Sequence, residues 1–512
     1  MTQVKRNVVA NYLGSAWAAL MSFAFIPLYI RHLGIEAYGL VGVFAVMQSW
    51  LLLLDVGLSP TLSREMARFQ AGAHTSQSIR DLMFSVELVY AIMAVLIAAG
   101  SLLAAPALAR HWIHAETLSP RVVECAFMVM GAVIAVRWLS GLYKSAITGL
   151  QRQVWLNSCT AAFSTLRGLG VVVVLAYLSN TIVAFFAYQG ILAVLEAVAL
   201  GVQVRRILPA SPSPPQFRWP ALVQVWHFAA GMAVITLLSI LLTQLDKLLL
   251  SKMLPLKQFG YYALASTVAS AIVIALTPIN NAIYPRLVEL VAQGETAALA
   301  DSYHKFSQAL TLAVVPAAFI LALFSRTILL LWTRDQVTTD FAAPLVTLLV
   351  IGNTFNALMH NPYSLQLAYG WTRFTVIANT IAVFLLVPAI YLGVSKFGAL
   401  AAAIIWIFLN VGYIIVAVPL MHRKLLRTEM WRWYVQDISV PAIAALGSAA
   451  LFYFWAPTPV LNKPIESICF LGMASLATLS SAVLVTPLGR NLLREQFLRA
   501  FKSMSKSEFS DT

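Results

Sequence analysis

Long apolar runs, separated by short stretches of polar and turn-forming residues, recur fourteen times between residues 8 and 487. A helix needs roughly 20 apolar residues to cross a bilayer. That length predicts spans at 8–30, 38–58, 82–108, 122–143, 154–178, 181–204, 222–250, 261–285, 309–332, 341–361, 374–393, 397–421, 437–456 and 464–487. The eighth is studded with Ser, Thr and Asn, and the fifth and sixth lie close together. The connections are too short to fold alone, so function is expected inside an all-α polytopic bundle. The first span follows Lys5 and Arg6, but it exceeds the roughly 7–15 residue core of a signal peptide. It is expected to stay as a helix.

Composition agrees: 60% of residues are hydrophobic and 11% charged, against about 25% charged in soluble domains. The net charge of +14 suggests nucleic acid until the charges are placed. Alternating the loops from a cytoplasmic N-terminus puts about 22 Lys/Arg inside and about 9 outside, counting Arg326 at the outer end of span nine, with Arg137, Arg167 and Lys247 within spans. By the positive-inside rule both termini are cytoplasmic, and the basic clusters anchor to membrane lipids; no nucleic-acid partner is expected. Cys125, Cys159 and Cys469 have no metal-ligand spacing, so no metal site is expected and packing is their role.

A connector from Pro209 to Pro220, with Pro212, Pro214 and Pro215, cannot continue a helix and reads as a semi-rigid linker. The segments it separates repeat. Arg31-His-Leu33 with Tyr38-Gly39 matches Lys252-Met-Leu254 with Phe259-Gly260 at an offset of 221. Gly149 and Arg152 match Gly370 and Arg373 at the same offset, and Arg64 and Gly72 match Arg286 and Gly294 at 222. An even span number per repeat makes the repeats parallel, with a substrate site expected where they meet. The organisation expected is an N-lobe at 1–208, a cytoplasmic connector at 209–220, a C-lobe at 221–425, two further helices within 426–489 and a basic tail at 490–512.

No P-loop, Gly-rich dinucleotide turn or His/Cys cluster occurs, so no cofactor is expected. The driving force must come from a gradient or the cargo. The longest extramembrane stretches, around 59–81, 109–121, 205–221 and 422–436, hold no catalytic constellation, so the chain does not read as an enzyme.

The informative positions are polar residues at bilayer depth, where charge is expensive and normally faces a wet cavity or a partner. Helical spacing sorts them into faces. Asn157, Thr160, Ser164 and Arg167 share one in span five; Thr236, Ser239, Thr243 and Asp246 share one in span seven, beside Lys247. Span four carries Arg137, Gly141 and Lys144; span ten carries Asn353, Asn356 and His360; span six carries Gln189, Glu196 and Gln203; span one carries Asn7, Asn11 and Ser15. Such stripes line a substrate cavity or bond helices together. Asp246–Lys247 suits a cavity or a membrane-edge charge pair, and Lys144 suits a cavity or snorkelling to the interface. Arg137 and Arg167 lie inside their spans, six and thirteen residues from the cytoplasmic span ends, and are expected to face water. Glu87 and Glu196 either neutralise those arginines or include a proton-coupling acid. Asp55, just before Gly57, suits a cap or a gate contact, and His360 a helix-end or switch role.

Several motifs carry a resemblance. Asn11 through Gly14, Pro27-Leu-Tyr-Ile-Arg31-His-Leu33-Gly34, Tyr38-Gly39-Leu40 and Leu54-Asp55-Val-Gly57-Leu58 resemble the opening of the polysaccharide flippases. These are O-antigen and capsule translocases of the multidrug/oligosaccharidyl-lipid/polysaccharide exporter superfamily. Gly149-Leu-Gln151-Arg152 and Leu245-Asp246-Lys247 are similar to that family too, and the likeness covers about the first 400 residues. It implies two six-helix lobes in a V that open alternately to either face of the bacterial inner membrane. The implied cargo is an undecaprenyl-diphosphate-linked glycan, passed on to a polysaccharide polymerase or export machinery. It also implies a cationic lumen, a role Arg137 and Arg167 would fill by position. Lipid II flippases share fourteen spans but typically carry arginine in mid span one; here Val8 to Ile30 is uncharged, and Asp55 stands where a basic residue would be expected. Drug/cation antiporters of the superfamily usually have twelve spans and cavity acids.

Overall fold

A computed structural model describes residues 3–55, 57–210, 213–274, 276–456 and 463–495. Among them the secondary structure is helical. Among the described residues twelve candidate spans are long and apolar enough to cross a membrane, and with the long helix over the seventh predicted span and the two helices that share the eighth the count comes close to fourteen. The chain is a multi-pass membrane protein. Two compact units divide it, residues 1–263 and 264–512.

The first unit contains α1 (Gln3–Ala24), α2 (Ile26–Leu33), α3 (Ile35–Leu51), α4 (Leu58–Gln70), α5 (Ser76–Ala107), α6 (Pro120–Gly149), α7 (Gln153–Val173), α8 (Ile182–Ile207), α9 (Trp219–Met253) and the start of α10 (Leu256–Ile274). Span one breaks at Phe25, because Pro27 lacks the N–H that an unbroken ladder needs. The close fifth and sixth spans stay separate: Ser179 is extended, and the Thr181 hydroxyl accepts from Ala184 N–H to cap α8. Thr75 likewise caps α5, starting the third span at Ser76, six residues before the predicted 82.

The connector is fastened, not free. Buried Asp81 of α5 accepts from Gln216 N–H at 2.9 Å and pairs with Arg218 at 2.7 Å. Ser85 Oγ accepts from Arg218 N–H at 2.9 Å.

The repeat also has a physical expression. A Cβ on Gly39 would stand 2.6 Å from the Leu256 carbonyl oxygen, and one on Gly260 would collide with the Ile35 carbonyl. Ile35 and Leu256 are separated by the same 221 residues as Gly39 and Gly260. Each copy therefore presents its glycine to the other copy's equivalent carbonyl, the reciprocity of a two-fold contact. Nearby, Glu36 accepts from the backbone N–H groups of Glu116, Thr117 and Leu118, and His114 O accepts from Leu256 N–H at 2.8 Å.

The second unit continues with α11 (Thr277–Gln293), α12 (Thr296–Leu323), α13 (Ser325–Thr333), α14 (Gln336–Leu358), α15 (His360–Ala368), α16 (Thr372–Phe397), α17 (Ala399–Gly412), α18 (Val418–Leu425), α19 (Met430–Arg432), α20 (Val440–Trp455) and α21 (Pro464–Val485). The eighth predicted span is divided at the turn residue Leu276, after which α11 starts with Pro278 in its first turn. Small residues let the last pair pack tightly on α12. Ala445 and Ala482 meet Val315; Ala449 and Ala474 meet Ile320 and Phe324.

Candidate functional site

Four charged residues of the first unit, Arg137, Lys144, Arg167 and Glu196, converge from α6, α7 and α8. Glu196 lies one turn-pair beyond Gln189 on the same face of α8. Its side chain is 2% exposed and is shared by Lys144 at 2.8 Å and by Arg167. Gln189 Oε1 accepts from Arg137 at 2.7 Å, and Gln48 Oε1 from the other arm at 3.1 Å. The Arg137 guanidinium also lies 5.1 Å from the centre of the Phe44 ring. Three cations thus face one carboxylate and two amides. Among the described residues, the Nε–H groups of both arginines are buried and lack an acceptor. Each guanidinium retains a directed donor, in surroundings where an unmade hydrogen bond costs about 1–3 kcal/mol.

Arg137 borders a cavity of about 260 Å³ with Gln48, Asp55, Ser59, Tyr90, Trp138 and Gly141. Asp55 accepts from Ser59 N–H and Oγ–H, the latter at 2.8 Å, and from Tyr90 Oη. It therefore caps α4 after Gly57, whose positive φ of 75° suits a residue without a Cβ. Tyr90 stacks on Trp138 with ring centres 5.1 Å apart. The lining combines a guanidinium and an amide with two aromatic rings and an anchored acid. A second, open cavity of about 490 Å³ lies between α1 and α7, bordered by Arg6, Gly14, Trp17 and Asn157. Asn11 and Asn157 bond to each other there at 2.5 Å.

The other sequence candidates have their own partners. Glu87 pairs with the exposed Arg205 at 3.1 Å and accepts from Tyr143 Oη at 2.6 Å; it meets neither Arg137 nor Arg167. On α9, Ser239 and Thr243 are exposed, and Thr243 Oγ1 donates to Ser239 O at 2.8 Å. Asp246 accepts from Tyr262 Oη at 2.6 Å and lies 3.4 Å from Lys247; the Thr236 side chain falls outside the described residues. In the second unit, Asn353 links Ala269 O and Trp406 Nε1, each at 2.9 Å, and Asn356 donates to Asn410 at 2.9 Å. His360 opens α15, half-buried.

Sequence reasoning missed Gln48, Tyr90 and Trp138. Gln48 was findable as a lone amide in an apolar run; the aromatics were not, since such rings are ordinary core residues.

A family model described as "Polysaccharide biosynthesis protein" matches residues 4–291, more than half of the chain and all the helices that build this cluster. The chain belongs to that family. A second model, MatE, matches residues 232–392. A Shigella flexneri protein named "Putative O-antigen transporter" is 21% identical over 401 residues, covering 78% of this chain and 93% of its own. Among solved structures, lipid II flippase MurJ in an inward closed conformation is similar at TM-score 0.68 and 12% identity, over 92% of this chain and 97% of that one. An inward-facing multidrug resistance MATE family transporter is similar at TM-score 0.64 and 14% identity, over 81% and 96%. These structures share the fold with this family member.

Proposed function

We propose that the protein is a flippase that carries a polyprenyl-diphosphate-linked oligosaccharide from the cytoplasmic to the periplasmic leaflet of a bacterial inner membrane by alternating access. The observation that carries this reading is a buried cluster of three cations with one carboxylate: Lys144 and Arg167 pair with Glu196, two amides hold Arg137, and two guanidinium N–H groups lack an acceptor among the described residues. A sugar diphosphate must cross a layer where an unshielded charge costs at least about 2.5–3.5 kcal/mol. Fixed guanidinium groups substitute for its water: they stay charged and clamp phosphate oxygens with paired N–H donors. The Tyr90–Trp138 pair and Gln48 suit the apolar face and hydroxyls of a sugar ring. The polyprenyl tail stays in lipid. Family membership and the O-antigen transporter's likeness support the same cargo class.

The test is surface-glycan display in cells carrying Arg137→Gln or Arg167→Gln, with membrane protein level measured alongside. Display should be lost at normal protein level, and Lys at either position should restore part of it. Wild-type display with both arginines replaced by Gln would overturn the reading. Raised drug tolerance on overproduction, with no effect on glycan, would favour a drug antiporter instead.

A further inference from the structure

The second unit holds a buried network that the transport reading does not use. His304 on α12 is 1% exposed and has a carboxylate on each ring nitrogen: Asp437 Oδ2 at 2.5 Å from Nδ1, and Glu429 Oε2 at 2.8 Å from Nε2. Asp437 is fully buried, in a wide π-helical turn over Trp433–Ser439. Gln308 Oε1 accepts from Leu488 N–H at 2.9 Å, which orients its amide so that Nε2 donates to Asp437 Oδ1 at 2.8 Å. The network therefore ties α12 to the turn before α20 and to the chain leaving α21.

Counting protons decides what it can do. A neutral imidazole has one N–H and one lone pair, whereas an ionised carboxylate only accepts. With both nitrogens against carboxylates, one proton leaves a lone pair facing an oxyanion. The joint closes only with a second proton, on the ring or on a carboxyl group. His422 is the contrast. Its Nδ1 donates to Val418 O at 3.0 Å, and its Nε2 accepts from Tyr303 Oη at 3.3 Å, so one proton satisfies it. Glu429, at 22% exposure, is the member of the triad that reaches water.

We propose that His304, Asp437 and Glu429 form a proton-binding site that fastens the last two helices to α12. A proton enters at Glu429, crosses the imidazole by gain at Nε2 and loss at Nδ1, and rests on Asp437; leaving reverses these steps. Arg432 lies 3.7 Å from Glu429 and also acts on Asp437, Tyr303 is the phenol beside Asp437, and Tyr434 lies by Tyr303 and donates to Ile414 O. At this end of the helices Asp301 pairs with Lys305, and Arg286 with Glu289. Lys424 lies over Trp371 and Arg427 bonds Arg423 O. The loop-charge bias assigns this end of the spans to the cytoplasm.

The site does not depend on the transport reading, and its test reads proton binding alone. Purified full-length protein is unfolded thermally in detergent from about pH 5 to pH 8, where an imidazole changes charge. If only the folded state holds the extra proton, Tm falls as pH rises. His304→Gln and Asp437→Asn should each lose that slope, and infrared difference spectra across the same interval should lose the triad's protonation signal. Asp437→Asn is nearly isosteric and serves if His304→Gln fails to fold. A flat wild-type profile, or a variant that keeps the wild-type slope and spectrum, would overturn the proposal.

Discussion

Replacing Glu196 with Gln should destabilise the first unit more than almost any other single polar substitution there. Unit charges about 3 Å apart attract by roughly 5–6 kcal/mol at an effective dielectric near 20, before desolvation is subtracted. The Lys144 arm is 38% exposed, so water screens it to about 1 kcal/mol or less. The Arg167 arm is 22% exposed, and removing the carboxylate strands it, which places the loss near the lower end of the ~3–5 kcal/mol for breaking a buried pair. The expected loss for Glu196→Gln is therefore about 3 kcal/mol. Arg167→Gln should lose less, about 2 kcal/mol, because Lys144 still neutralises the acid. The double variant removes both charges, so it should recover about 2 kcal/mol relative to the sum of the singles. Denaturant unfolding of the purified protein measures all three, and glycan display is scored separately. Regained stability without regained display would assign Arg167 to the cargo; recovery of both would make it a structural partner of Glu196. A Glu196→Gln variant within about 0.5 kcal/mol of wild type, or simple additivity of the two substitutions, would refute this pairing.

Gly39→Leu and Gly260→Leu each drive a side chain into the opposite copy's carbonyl and should lower stability by about 1–3 kcal/mol. Gly447→Ala on α20 meets nothing within 4 Å and should be neutral or slightly stabilising in the same unfolding assay. Glu65, buried on α4 between the second and third spans, is a pH test. Burial alone would raise its carboxyl, but hydrogen bonds from His74 and Arg68 outweigh that and hold it below the usual glutamate range. A lowered folded-state value means its stabilisation is present above the unfolded value and lost as pH falls through the folded one. Glu65→Gln should therefore flatten the acid limb of stability against pH, and an unchanged limb refutes the contribution. Reporter fusions after Ser179 should read periplasmic and at Ser213 cytoplasmic; a periplasmic signal at Ser213 would refute the charge-derived topology.

Class was legible in the sequence because a bilayer imposes length and apolarity on every crossing, and both can be read residue by residue. The same holds for Arg167 and Glu196 as costly charges at membrane depth, and for the 221-residue repeat. Helical spacing says which residues share a face, but not what that face meets. That Glu196 rather than Glu87 takes Arg167, and that Gln48 and Gln189 hold Arg137, depends on how α3, α6, α7 and α8 are rotated against one another. That rotation is set by packing across sequence separations of 29 to 89 residues. The His304 network lies further still from sequence reasoning. Its members come from helix ends up to 180 residues apart, and each alone looks like a boundary residue. Periodicity records only the environment a residue prefers. Pairing a histidine with two acids is decided by where folded helix ends arrive, and only the tertiary structure fixes that.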